Sequence, residues 1–206
     1  MKVLLINCSP HEHGVTDAAL REAAAALEAE GVETEVFFPG AKPIQPCTAC
    51  YGCGKTNRCV FQDSVNIALD KMESCDGLIV GTPVHYAAIS GIASAFLDRM
   101  FMSGGSTMRH KPAAGVVCSR RAGCTSAFDE LNKYFTISQM PVVSSQYWNM
   151  VFGKTADNAR RDEEGMQTMR TLGRNMAWLL KCIEAGKAVG IQPPAPEKII
   201  RTDFIR

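Results

Sequence analysis

Apolar residues fall along the chain in two rhythms. Short apolar runs at Lys2–Asn7, Gly77–Gly81 and Ala113–Cys118 are bounded by polar or small residues, and Val32–Phe38 reads as a further strand. Such runs predict strands buried on both faces, as in a parallel sheet. Between them the spacing changes to three and four. Asp17–Glu30 sets Leu20, Ala23, Ala24 and Leu27 on one helical face and closes at Gly31. A second stripe, Val65, Ala68, Leu69 and Met72, follows Asp63 or Ser64 as the cap, and a third, Ile92, Phe96, Leu97 and Met100, starts at Ser90. Ser126–Phe135 continues the alternation, and Met140–Val143 is expected as the fifth strand. Glu163–Ala185 reads as a long helix with Met166, Met169, Leu172, Met176, Leu179, Leu180 and Ile183 inward. Methionines at that spacing predict core rather than a cofactor box. Past Gly190, the prolines Pro193, Pro194 and Pro196 preclude helix. Strand and helix alternate about five times, which predicts a doubly wound α/β sheet. With no internal repeat, the expected organisation is one domain over residues 1–190 and a Pro-rich tail over residues 191–206.

Composition narrows the function classes. The chain has 206 residues, 46% hydrophobic and 21% charged, with net charge +1. That is a globular balance with no basic tract, so nucleic acid and an anionic membrane are not expected partners. No apolar run reaches the roughly 18 residues of a membrane span. The opening Met1–Ile6 run is too short for a signal sequence, and the expected location is the cytoplasm. Nine cysteines in such a chain point to thiols or thiolate ligands rather than to a disulfide framework.

Four of the nine crowd into Pro46–Asp63, as Cys47, Cys50, Cys53 and Cys59 with the spacing C-x2-C-x2-C-x5-C. In an open α/β sheet, ligands bind outside the carboxyl ends of the strands. Three polar loops are expected there. Ser9–Thr16 offers the hydroxyls of Ser9 and Thr16, Gly14 for close backbone approach and a helix N-terminus behind it, a combination that suits a phosphate. Neither a dinucleotide nor a Walker fingerprint is present. Thr82–Ala88 sets His85 and Tyr86 beside Pro83 and Val84, a wall for a flat ring, and Ser119–Thr125 adds Arg120 and Arg121 beside Gly123.

The run Gly81-Thr-Pro-Val-His-Tyr-Ala-Ala-Ile-Ser-Gly91, followed by Phe96-Leu-Asp-Arg99, resembles the flavodoxin-like NADPH-dependent FMN reductase superfamily. The cysteine insertion looks like that of the iron–sulfur flavoproteins within it. The resemblance implies a five-stranded parallel sheet of order 2-1-3-4-5 that binds FMN. The phosphate would lie on Ser9, Pro10, His11, Gly14, Val15 and Thr16. The ring would lie between Pro83, Val84, His85 and Tyr86 on one side and Ser119, Arg120, Arg121 and Gly123 on the other. The chain departs from the family loop at His11, where Arg is usual, and at Val15, where Asn is usual. The resemblance further implies an oxidoreductase that takes electrons from NAD(P)H or a ferredoxin and passes them to a quinone, a nitro or azo compound, or free flavin. No side chain need act as nucleophile, and a homodimer or dimer of dimers is expected. A flavodoxin-like carrier and a redox sensor are the alternatives, and net charge +1 disfavours the carrier.

For the cysteines three readings stand open. Compact spacing with a fourth thiolate further along suits a [4Fe–4S] cluster. Zinc usually takes two separated C-x-x-C pairs, and free thiols are the third reading. Tyr147 and Trp148 are candidates for an aromatic lid or an interface, and Cys8, Cys75, Cys118, Cys124 and Cys182 read mostly as small buried hydrophobes.

Overall fold

A computed structural model describes residues 1–202 and Phe204. Five parallel strands form the sheet. They are β1 (Lys2–Asn7), β2 (Glu33–Phe37), β3 (Gly77–His85), β5 (Ala113–Ser119) and β6 (Met150–Phe152), in the order β2-β1-β3-β5-β6. A short β4 (Ala88–Ile89) runs antiparallel to the end of β3. Side chains alternate across the sheet, and both faces are buried as the apolar runs require. Leu4, Ile6, Leu78, Val80, Ala113 and Val117 pack beneath α3 (Ser64–Glu73), α4 (Gly91–Met108) and α5 (Cys124–Ile137). Val3, Leu5, Ile79, Ala114 and Val116 face α1 (Val15–Ala29) and α7 (Glu163–Ala188), with Ala159 of α6 (Ala156–Arg161) beside them. Met166, Met169, Leu172 and Met176 of α7 are all core. Among the described residues no helix is long and apolar enough to cross a membrane.

Two expectations fail. Met140–Val143 is not the fifth strand: Val142 makes only an isolated bridge to Ala113, and β6 arrives later in the chain. Pro141 has no N–H to continue a ladder, but its carbonyl accepts from Ala113 N at 2.9 Å. Between bridge and strand, Asn149 completes the edge of β5. Its carbonyl accepts from Val117 N at 2.9 Å, and its side-chain amide donates to Gly115 O at 3.0 Å. The second failure is Thr82–Ala88, which is a hairpin rather than a loop. β3 continues to His85, and Tyr86 and Ala87 turn it with φ of 50° and 61°. That two-residue turn normally selects Asn or Gly, so Tyr-Ala carries no sequence signal for it.

Candidate functional site

The first loop leaves β1 and feeds α1. Asn7 organises it, donating from Nδ2 to Glu12 O at 3.0 Å and accepting from Ser9 N at 3.1 Å. Ser9 Oγ accepts in turn from His11 N at 3.1 Å. Gly14 is the N-cap of α1, and no side chain caps that end. Its first-turn amides and the positive end of the helix dipole therefore suit an anion. Asp17 places a carboxylate in the first turn, and Arg21 Nε binds both of its oxygens, at 3.0 and 2.9 Å. Val15 and Pro10 are half-buried, His11 is exposed, and the Thr16 side chain is turned inward. A Cβ on Gly81 would meet Thr16 Cγ2 at 2.8 Å and Leu20 Cδ1 at 2.9 Å. The missing side chain at Gly81 is what lets α1 lie this close to β3, and Thr16 can offer a ligand only its backbone N–H.

The hairpin and the third loop come together. A Cβ on Gly123, itself at φ +88°, would stand 2.9 Å from Ala87 Cα and 3.0 Å from Val84 Cγ1. Ser126 Oγ donates to Ala87 O, and Ile89 N donates to Glu130 Oε2 at 3.0 Å. Tyr86 projects fully into solvent at the hairpin tip, while Ser119 is buried as the last residue of β5. Arg120 and Arg121 are exposed beside it. The nearby thiols are not reactive groups: burial alone pushes Cys8 up to about 12, burial chiefly pushes Cys118 up to about 12, and burial raises Cys124. Cys182, read from sequence with the buried group, is exposed on α7.

The Tyr147 and Trp148 rings pack with centroids 5.0 Å apart, tilted at 59°, and stand half-exposed over a cavity of about 270 Å³ that reaches Thr125 and Phe152. A larger cavity, about 550 Å³, lies beyond the opposite ends of the strands, between the last turn of α7 and Pro112 and Pro141.

The insertion lies against α4. Its one helical turn, α2 (Cys53–Thr56), interrupts an otherwise irregular path. Ala49 and Tyr51, on either side of Cys50, and Asn57 all take left-handed φ, at 51°, 56° and 53°. Such strain concentrates at functional sites. Cys47, Cys50, Cys53 and Cys59 line one cavity together. Among the described residues no three His, Cys, Asp or Glu side chains converge closely enough to hold a metal ion. Burial first, then the neighbouring thiols, raises Cys53. A group that drew all four thiolates together would therefore need positive charge nearby, and Arg99 supplies it. Its side chain is 1% exposed, and its Nε–H donates to Cys59 Sγ at 3.1 Å. Burial works against its proton, but the bonds to Asp63 and Cys59 outweigh that, so it stays charged. The donor set, four thiols beside a buried guanidinium, fits an iron–sulfur cluster.

Sequence reading gives no role to Asn66, and it marks Arg99 only as the end of the run that carries the family resemblance. Arg99 sits inside an apolar helical stripe with nothing to mark it as buried. Asn66 holds the Cys59 backbone from both sides, accepting from its N and donating to its O, both at 2.9 Å.

Residues 1–155 match the family described as NADPH-dependent FMN reductase. An iron–sulfur flavoprotein of Methanocaldococcus jannaschii is 32% identical over 192 residues, covering 89% of this chain and 100% of the relative. An iron–sulfur flavoprotein of Methanosarcina thermophila is 26% identical over 192 residues, covering 91% and 99%. Among solved structures, RosB with bound 8-demethyl-8-formylriboflavin-5′-phosphate superposes with TM-score 0.72 at 17% identity, covering 100% of this chain and 94% of that one. An archaeal flavodoxin gives TM-score 0.60 at 15% identity, covering 88% and 99%. At those identities the two structures speak for the fold, which is flavodoxin-like.

Proposed function

The chain belongs to the NADPH-dependent FMN reductase family, on its iron–sulfur flavoprotein branch, and on that premise we propose that it is an FMN-dependent oxidoreductase. In this reading residues 1–190 are the FMN-binding domain, and electrons pass from NAD(P)H or a ferredoxin to a small acceptor such as a quinone, a nitro or azo compound, or free flavin. The observation that carries it is the uncapped N-terminus of α1, opening beside the closed pair of hairpin and third loop in a chain of this family. The α1 amides at Val15 and Thr16, with Ser9, Pro10, His11 and Gly14, would hold the FMN phosphate. The backbone and side chains of Pro83, Val84, His85 and Tyr86 would wall the ring on one side. Ser119, Arg120, Arg121 and Gly123 would line the other, the two arginines offsetting negative charge on the ring.

Bound FMN supplies the chemistry itself, accepting or releasing one electron or two. The protein's part is position and access. The hairpin, braced by Gly123 and Ser126, keeps water from one side of the ring site. Tyr147 and Trp148, tilted at 59° to each other, offer an apolar aromatic corner for an acceptor or a nicotinamide. Cys8, Cys118 and Cys124 stay protonated and take no covalent role. Cys47, Cys50, Cys53 and Cys59 would hold a [4Fe–4S] cluster that exchanges single electrons with a carrier protein. Nine free cysteines are consistent with a reducing cytoplasm. The tail over residues 191–206 exposes Ile199 and Ile200, as an arm across a second copy in a homodimer would.

The test is titration of flavin-free protein with FMN, followed by anaerobic oxidation of NADPH, NADH or reduced ferredoxin with a quinone as acceptor. The expected result is stoichiometric FMN binding and turnover that depends on it. Bound FMN without turnover from any of the three donors would overturn the enzyme reading and leave a carrier.

A further inference from the structure

We propose that Arg99 is the positioning residue of the cysteine insertion: it fixes Cys59 as the anchored ligand of the iron–sulfur cluster, and its Nε–H sets the potential of that cluster. The assignment rests on the cluster reading of the four cysteines. A guanidinium has five N–H groups, and here every one has an acceptor in the segment before α3. Nε donates to Cys59 Sγ at 3.1 Å. One terminal nitrogen donates to Gln45 O at 3.1 Å and Asp63 Oδ2 at 2.6 Å. The other donates to Phe61 O at 3.3 Å and Asp63 Oδ1 at 2.9 Å. The acceptors lie at both ends of the insertion, so one side chain on a rigid helix closes it like a clasp. The Phe61 ring covers the guanidinium at 5.0 Å.

The other three cysteines have no such support. Cys47 and Cys50 are exposed, and Cys53 Sγ has a single long bond to Met102 O at 3.7 Å. Cys59 is held by its side chain through Arg99 and by its backbone through Asn66. It is therefore the ligand in place before iron arrives, and the other three close onto it. Asp63 accepts from both terminal nitrogens and balances the guanidinium charge. That leaves the Nε–H aimed at sulfur, where a hydrogen-bond donor stabilises thiolate and, more strongly, the extra negative charge of a reduced cluster. Lysine, a point charge with no planar fork, cannot span these five acceptors.

The experiment compares anaerobically purified full-length wild type with Arg99→Lys, Arg99→Gln and Asp63→Asn. Iron and sulfide per chain, the rate of iron release to a chelator and the cluster potential by redox titration are measured, with flavin content and cooperative unfolding as controls of fold. Loss of a group that orients a metal ligand typically costs about 10–100-fold in affinity. The expectation is iron release about tenfold faster in both Arg99 variants, flavin content held, and a lower potential for the cluster that Arg99→Lys retains. Wild-type release rates and potentials in both Arg99 variants would overturn the assignment while leaving the cluster reading intact. Wild type without iron would sink the cluster reading and the assignment with it. Should the Arg99 variants fail to fold, Asp63→Asn, which keeps the guanidinium but frees it, must still speed iron release; an unchanged rate there overturns the assignment.

Discussion

Gly123 lies so close to Ala87 that a Cβ added to it would stand 2.9 Å from the Ala87 Cα, at a backbone φ of +88°. That contact joins the hairpin at the end of β3 to the loop after β5. Neither partner can give way cheaply, because Ala87 itself has a φ of 61° and is held through its carbonyl by Ser126. Gly123→Ala should therefore push apart the two walls proposed for the ring. FMN affinity should fall by about tenfold, equivalent to about 1.4 kcal/mol, in a protein that still unfolds cooperatively. Fluorescence titration with FMN checks this, and an unchanged affinity places the ring elsewhere.

Asn149 substitutes for a strand. Asn149→Ala would leave the buried Gly115 carbonyl without its donor and take an acceptor from Ser145. The expected loss is about 1–3 kcal/mol in denaturant unfolding, since that carbonyl has no other partner to turn to at the interrupted edge. Asn149→Asp, which cannot donate, should cost at least as much.

Glu35, on the edge strand β2, binds Lys71 and, at 2.9 Å, Lys2. Its hydrogen bond from Lys71 first, then that from Lys2, holds its carboxyl below the usual carboxylate range. A carboxyl depressed in the folded state contributes stability above its unfolded pKa and loses it as pH falls through the folded value. Glu35→Gln should cost about 0.5–1 kcal/mol at neutral pH. The gap to wild type should close as pH falls below the usual value of 4.5. A gap that persists in acid would mean that packing, not charge, is lost.

Much of this architecture was legible because apolar runs buried on both faces leave a plain signature. β1, the core of β3 and β5, and the methionine face of α7 needed only periodicity. The hairpin was hidden because Tyr86 and Ala87 are poor residues for the turn they make, and their strain is carried by packing on Gly123. The fifth strand was misplaced because Met140–Val143 has the apolar look of a strand, but Pro141 and the Asn149 side chain divide the pairing of β5 between two separate pieces. Arg99 was visible only as part of a family run, and its role was hidden because a helical stripe says which face is buried, not that a cation on it has five acceptors waiting. Within the site, the first loop was visible as polar residues after a strand, yet the Thr16 side chain faces the core. That contact with Gly81 is tertiary, and no local pattern encodes it.

The cysteine insertion and the three loops are carried by different elements, so they should be separable. Cys50→Ser or Cys53→Ser should reduce iron from about four atoms per chain to almost none while the bound FMN remains. Loss of flavin together with iron would show that the two sites depend on each other.

The absorption spectrum of anaerobically purified protein, taken with metal analysis of the same sample, tests the central claim most directly. It should show the bands of bound FMN over the broad absorbance of an iron–sulfur cluster, with about four iron atoms per chain. Colourless protein that also fails to bind added FMN would contradict the account at its base.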